Sequence, residues 1–197
     1  MKMKNLFLTA IAIIALSTTA PVYANTIKDD AFTILEDVGT ISSIEVHGNV
    51  QLFVSDAPAD VIKVYNKYYA ENALIQNKGG ALRISSYNDE KLIIWVKATD
   101  LRSVSLFDNA QIVSFGTLSK IDFSIDLHNN AQAQLTVNAF KLTVAVKNNA
   151  KADIKGSTEE LYLNRDMAQN VATNNLAVVN LYQNKTIAAA GKLVSAI

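Results

Sequence analysis

Three stretches of the chain repeat one pattern: FDNAQIV at Phe107–Val113, HNNAQAQL at His128–Leu135 and KNNAKADI at Lys147–Ile154. In each, an alternating apolar and polar run leads into an Asn-Ala pair, and a second such run follows. The alanines Ala110, Ala131 and Ala150 stand 21 and 19 residues apart. DMAQNVAT offers Ala168 a further 18 residues on, and YQNKTIAA offers Lys185 after 17 more. A period near 20 residues that holds two or three short strands is the size of one coil of a parallel β-helix. Strands of successive coils would stack about 4.8 Å apart. Residues one period apart would then lie above one another, and inward residues would form one apolar core that no coil can bury alone.

Alternation with period two extends along most of the chain. ISSIEVHGNVQLFV (Ile41–Val54) places Ile44, Val46, Val50, Leu52 and Val54 on one face, with Gly48-Asn49 between. KIDFSIDLHN alternates Ile121, Phe123, Ile125 and Leu127; FKLTVAVKNN alternates Leu142, Val144 and Val146. ELYLNR carries Leu161 and Leu163, and LAVVNLYQN carries Val179 and Leu181. These runs are strand-length and rich in β-branched residues. No strong amphipathic helix pattern competes, so the expected fold is all-β, a parallel β-helix-like solenoid.

The Asn-Ala pairs fall where one strand must bend into the next. Such a bend commonly needs a residue with positive φ. Asn is the best substitute for Gly there, because its short amide bonds locally. Asn109, Asn130 and Asn149 are therefore the expected corner residues, with Asn184 as a further position. The small Ala110, Ala131 and Ala150 would fill the cramped inside of the corner. Gly116 and Gly156 fall where the chain must turn again. Stacked carboxamides can also bond along a ladder. The plainer alternative is that Asn is simply common in turns.

The first 24 residues read as a segment outside the fold. Lys2 and Lys4 precede the apolar run Leu6–Leu16, and Val22-Tyr23-Ala24 supplies a compact cleavage signature. This is the pattern of a secretory signal peptide cleaved after Ala24, with a run too short to span a bilayer. Residues 25–197 are then expected to be one domain, periplasmic or extracellular, with no transmembrane segment. Setting aside Lys2 and Lys4 leaves 16 basic against 18 acidic residues, with no basic patch, so nucleic acid is not an expected partner. The chain has no Cys, so its stability rests on core and backbone ladders rather than disulfides.

The same residues resemble the bacterial head GIN domain, a family labelled auto-transporter adhesin and common in Bacteroidetes. Its members open with a pattern like F-x-x-I-x-V-x-G-x-x-x-V, which ISSIEVHGNVQLFV follows through Ile44, Val46, Gly48 and Leu52. NALIQNKGGALRISSYN (Asn72–Asn88) and WVKATDLRSVSLFDNAQIV (Trp95–Val113) are similar to its later segments. The resemblance covers roughly Phe32–Ala190. Family repeats read Ser-Gly-Ala where this chain reads Asp-Asn-Ala or Asn-Asn-Ala, and Met167 stands at the fourth Gly position. The resemblance implies a right-handed β-helix-like solenoid and an adhesion-type role at the cell surface or in the periplasm.

Catalytic constellations are sparse. His47 and His128 are the two histidines; neither has metal-ligand spacing, so no metal or cofactor is expected. No G-x-S-x-G elbow is present. Asp126 shares a strand face with His128 and with Asp122. The residues expected level with Asp126, Leu106-Phe107 and Val146-Lys147, are not acids, which weakens the case for a carboxylate-pair glycosidase. Tyr65, Tyr68 and Tyr69, within VYNKYYAEN, form the candidate ligand surface, since exposed tyrosines stack on sugars or partners; the plainer reading, and the one favoured by Tyr's intermediate burial, is that they cap the first coils of the core. Trp95 reads as core or core edge. The expectation is a non-enzymatic binding module for a glycan or envelope protein. A β-helix carbohydrate-active enzyme and a self-associating structural protein, a homo-oligomer, are the alternatives.

Overall fold

The computed structural model describes residues 32–35, 38–65, 73–167 and 170–184. Thirteen strands form one sheet among these residues. They are β1 (Thr33–Leu35), β2 (Ser43–Gly48), β3 (Val50–Asp56), β4 (Val61–Val64), β5 (Ala73–Lys78), β6 (Ala81–Ser86) and β7 (Leu92–Ala98). Then follow β8 (Ser103–Leu106), β9 (Gln111–Leu127), β10 (Gln132–Val146), β11 (Lys151–Arg165), β12 (Val171–Ala172) and β13 (Leu176–Asn184).

The sheet curls around a single apolar core. Inward side chains stack in rows across paired strands. One row runs Leu82, Ile44, Val104, Ile125, Val144 and Leu163. Another runs Ile94, Leu52, Ile112, Ala133, Ala152 and Val171. All of these are buried. Period-two alternation produces the rows directly, because residues at i and i+2 point to the same face. β9–β11 are long because each passes through more than one wall of the curl. The burial alternation of β9 slips at Ser114–Thr117 and again at Lys120–Asp122, next to Gly116 at φ 82°.

From β9 onward the chain stacks in parallel. Gln132 pairs with Gln111 and with Lys151, and Gly156 pairs with Leu176. The N-terminal half is mixed. β1–β4, β4–β7 and β5–β6 are antiparallel, while β2–β6, β2–β8, β3–β7 and β3–β9 are parallel. The order is also interleaved: β2 lies between β6 and β8, and β3 lies between β7 and β9. Residues 43–56 are thus flanked by segments that both come later in the chain. A uniform parallel winding in sequence order was expected, and it does not describe this half.

Two expected core residues face out. Ile121 is 78% exposed and Val179 is 68% exposed. Both lie where the alternation slips, so counting by two from their neighbours gives the wrong face. Asn184 pairs with Asn164 inside β13 and is not at a corner.

Candidate binding surface

The corner is built one residue earlier than expected. Positive φ falls on Asp108, Asn129 and Asn148, at 59°, 60° and 60°, not on Asn109, Asn130 and Asn149. Each residue is the second of a four-residue turn closed by a backbone bond, Ala110 N to Phe107 O at 3.2 Å, Ala131 N to His128 O at 3.1 Å and Ala150 N to Lys147 O at 3.2 Å. Positive φ at that position alone is the φ signature of a type II′ turn. Gly48, at φ 86°, precedes Asn49 as Asp108 precedes Asn109, and its N–H donates to Asp108 Oδ2 at 3.1 Å. Ala110, Ala131 and Ala150 lie fully buried beneath the corner.

Side chains tie these corners together. Asn129 Nδ2 donates to Asp108 Oδ1 at 3.2 Å, and Asn148 Nδ2 donates to Asn129 Oδ1 at 3.3 Å. Asn130 Nδ2 donates to Asn109 Oδ1 at 3.3 Å. In the fourth repeat Val171 stands level with Ala152, while Ala168 lies outside the described residues. There Asp166 Oδ2 accepts from Asn148 N at 2.8 Å, and buried Asn170 donates from Nδ2 to Asn148 O at 2.9 Å.

Beside the corner, His47, Phe107 and His128 stack ring on ring, with centroids 4.5 and 4.6 Å apart. Glu45 Oε1 lies 2.8 Å from His47 Nε2, and Asp126 Oδ2 lies 2.9 Å from His128 Nε2. Asp126 stands level with Ser105 and Ala145, correcting the expected Leu106-Phe107 and Val146-Lys147. Glu45 continues the same row beyond Ser105. The two carboxylates are therefore two strands apart, about 9.5 Å by strand spacing. Each faces a histidine on its own strand. Among the described residues no three metal-ligating side chains gather.

A different face carries the aromatic side chains. β4 and β7 pair with Lys63 opposite Trp95 and Val61 opposite Lys97. Their alternate residues Ile62, Val64, Ile94 and Val96 are buried, so Val61, Lys63, Trp95 and Lys97 face outward. Trp95 is thus on the outer surface rather than in the core. Its indole is held by Phe53, stacked at 4.8 Å, and by Phe115, tilted at 5.4 Å. Tyr65 continues the outward set of β4. It is 39% exposed and meets Phe32 at 5.7 Å. Lys63 Nζ lies 5.3 Å from the Phe32 ring centroid. Val61, Lys63, Tyr65, Trp95 and Lys97 line a shallow cavity of about 200 Å³. Tyr68 and Tyr69 lie outside the described residues.

Of this surface, sequence reasoning singled out Tyr65 and missed Phe32, Lys63, Lys97 and Phe115. A usable signal was present in VIKVY and IIWVK, where Lys63, Tyr65, Trp95 and Lys97 alternate with buried aliphatics. A second cavity of about 400 Å³ lies between Thr99–Arg102 and Ser119–Asp122. Of its charged side chains, Arg102 pairs with Asp100, and Lys120 Nζ lies 2.6 Å from Oδ1 of Asp56, which is outside the lining. The hydrogen bond from Arg102 holds the Asp100 carboxyl below the ordinary carboxylate range.

Residues 41–192 match the family described as "Putative auto-transporter adhesin, head GIN domain". None of the curated proteins matches the chain. Among solved structures, a protein of Bacteroides fragilis described as a putative adhesin superposes with TM-score 0.70 at 12% identity, covering 78% of this chain and 74% of that one. A putative adhesin from Parabacteroides distasonis gives TM-score 0.63 at 19% identity, covering 79% and 78%. A protein of the same species described as a putative lipid binding protein gives 0.58 at 8%, covering 78% and 77%. At these identities the likeness is one of fold. The family match, spanning most of the sequence, shows that the chain belongs to the head GIN domain family.

Proposed function

We propose that this protein is an exported, non-enzymatic binding module of the cell envelope, acting by adhesion-type contacts along the outer face of its sheet. The observation that carries this reading is the exposed aromatic surface of β1, β4, β7 and β9. There Phe32, Ile34, Tyr65 and Phe115 are 40%, 47%, 39% and 68% exposed around Trp95. Contiguous exposed apolar surface on a rigid sheet marks an interaction site. Membership in an adhesin-named family and likeness to adhesin-named structures support the same reading. The parallel stack from β9 to β13 supports a β-helical arrangement for that half, and its right hand is what the family resemblance implies. The leader at residues 1–24, cleaved after Ala24, would deliver the protein to the periplasm or beyond.

An enzymatic reading finds less support. Glu45 and Asp126 are spaced for a carboxylate pair, but they lie on a strand face where each is held by its own histidine. A self-associating structural role has one observation in its favour. β13 pairs only with β11 among the described residues, and its Leu181 and Tyr182 are 52% and 47% exposed. Open strand edges invite pairing.

The mature chain is expected to attach to immobilised envelope polysaccharides or envelope proteins as a monomer, and a Phe115→Ser variant should attach more weakly. Surface binding with sedimentation analysis checks this. Attachment by no preparation would overturn the adhesion reading, and a concentration-dependent rise in mass would favour self-association.

A further inference from the structure

We propose that the groove between β4 and β7 binds an acidic glycan, one sugar ring bearing a carboxylate, with Trp95 and Tyr65 as the stacking platform and Lys63 and Lys97 as the charge contacts. This rests on the adhesion reading and names its ligand class. Antiparallel pairing fixes the arrangement. Lys63 lies opposite Trp95, and Lys97 stands two residues along the same strand from Trp95. The two lysines are therefore diagonal neighbours on one face, about 7–8 Å apart at the backbone. Among the described residues the groove lining contains no acidic side chain and neither lysine is in an ion pair. Two like charges on one apolar surface repel. A carboxylate held between them would relieve that repulsion and accept charge-assisted hydrogen bonds.

The apolar part of the site is rigid. Trp95 is braced on its β3 side by both Phe53 and Phe115, so its exposed surface needs little ordering when a ligand arrives. A pyranose ring offers both chemistries the groove calls for: a C–H face to cover an aromatic ring, and polar groups at its rim. The volume, about 200 Å³, is smaller than a pocket that engulfs a drug-sized ligand. The groove is shallow on an open sheet, which suits one unit of an oligomer lying across it. An anionic bilayer is a poorer fit, because its recognition typically uses clusters of about four to eight basic residues, and this groove holds two.

Trp95 is the chain's single tryptophan, so its fluorescence reports this groove alone. The full chain is titrated with oligogalacturonate, with a maltooligosaccharide of equal length, and with phosphatidylglycerol vesicles. Oligogalacturonate is expected to give a saturable change in emission that weakens with salt. The neutral oligomer and the vesicles should give little. Lys63→Gln and Lys97→Gln should each weaken binding about tenfold, the size of one charged hydrogen bond. Both variants are outward substitutions and should keep the parent's circular dichroism and thermal midpoint. No response to oligogalacturonate, equal affinity for the neutral oligomer, a response to vesicles alone, or parental affinity in folded variants would each overturn the proposal. Applying the Lys63→Gln/Lys97→Gln double variant to immobilised polysaccharides separates the two ideas. Undiminished attachment would sink this groove and leave the adhesion reading standing; no attachment by any form would sink both.

Discussion

Asn129 does two things at one corner. It adopts φ 60°, and its carboxamide joins Asp108 to Asn148. Ala at this position would meet the left-handed penalty of about 1–2 kcal/mol and lose both amide bonds. Asn129→Ala is expected to destabilise the fold by about 2 kcal/mol, with Asn129→Gly, which tolerates the conformation, within about 1 kcal/mol of the parent. Urea denaturation of the two variants checks this; equal losses would mean that the conformation contributes little. The need for Asn-type residues here was legible in the sequence, but the position was not. Two of the repeats carry Asn twice in succession, and either residue tolerates positive φ. The choice between them depends on which backbone N–H closes the turn, and that is fixed by the flanking strand register.

At the scale of a strand, β10 and β11 show how backbone proximity overrides pattern. Gly156 sits at φ 113°, where an added Cβ would lie 2.2 Å from the Val137 carbonyl oxygen. That oxygen is main chain and cannot swing aside. Gly156→Ala is expected to cost about 3 kcal/mol or more, combining strain and overpacking. Gly116, at φ 82°, has nothing within 4 Å of the same added atom. Gly116→Ala should cost only the conformational penalty, about 1 kcal/mol. Thermal denaturation of the pair checks the contrast. Both glycines were readable as turning points, but which one is crowded was not, because crowding comes from a strand 19 residues away. Ile121 was misread for a related reason: the face of a strand cannot be counted across a bend. Trp95 was misread because a large aromatic among aliphatics resembles core until the strand's phase is known.

Across the whole molecule, protection against exchange should follow the number of strand neighbours. β10 is paired along its length by both β9 and β11, whereas β1, β5 and β13 each have one partner among the described residues. Amide hydrogen exchange is expected to be slowest in β10 and fastest in β1, β5 and β13. Comparable protection in β10 and β13 would contradict this. The repeating half was legible because its partners lie about one period apart. The N-terminal half was not, because local alternation says that a strand exists without saying which strand lies beside it. Ser43 pairs with Ala81 on one side and Ser103 on the other.

That wedged position sets an order on assembly. In a chain emerging N-terminus first, residues 43–56 would appear early, yet β2 could not be closed on both edges until β6 and β8 had followed, nor β3 until β7 and β9 had. The segment's apolar face would wait for β9, the strand that also starts the self-similar turns. Closure of the early segment would thus depend on the strand that opens the repeating half, so that neither half could be completed without the other.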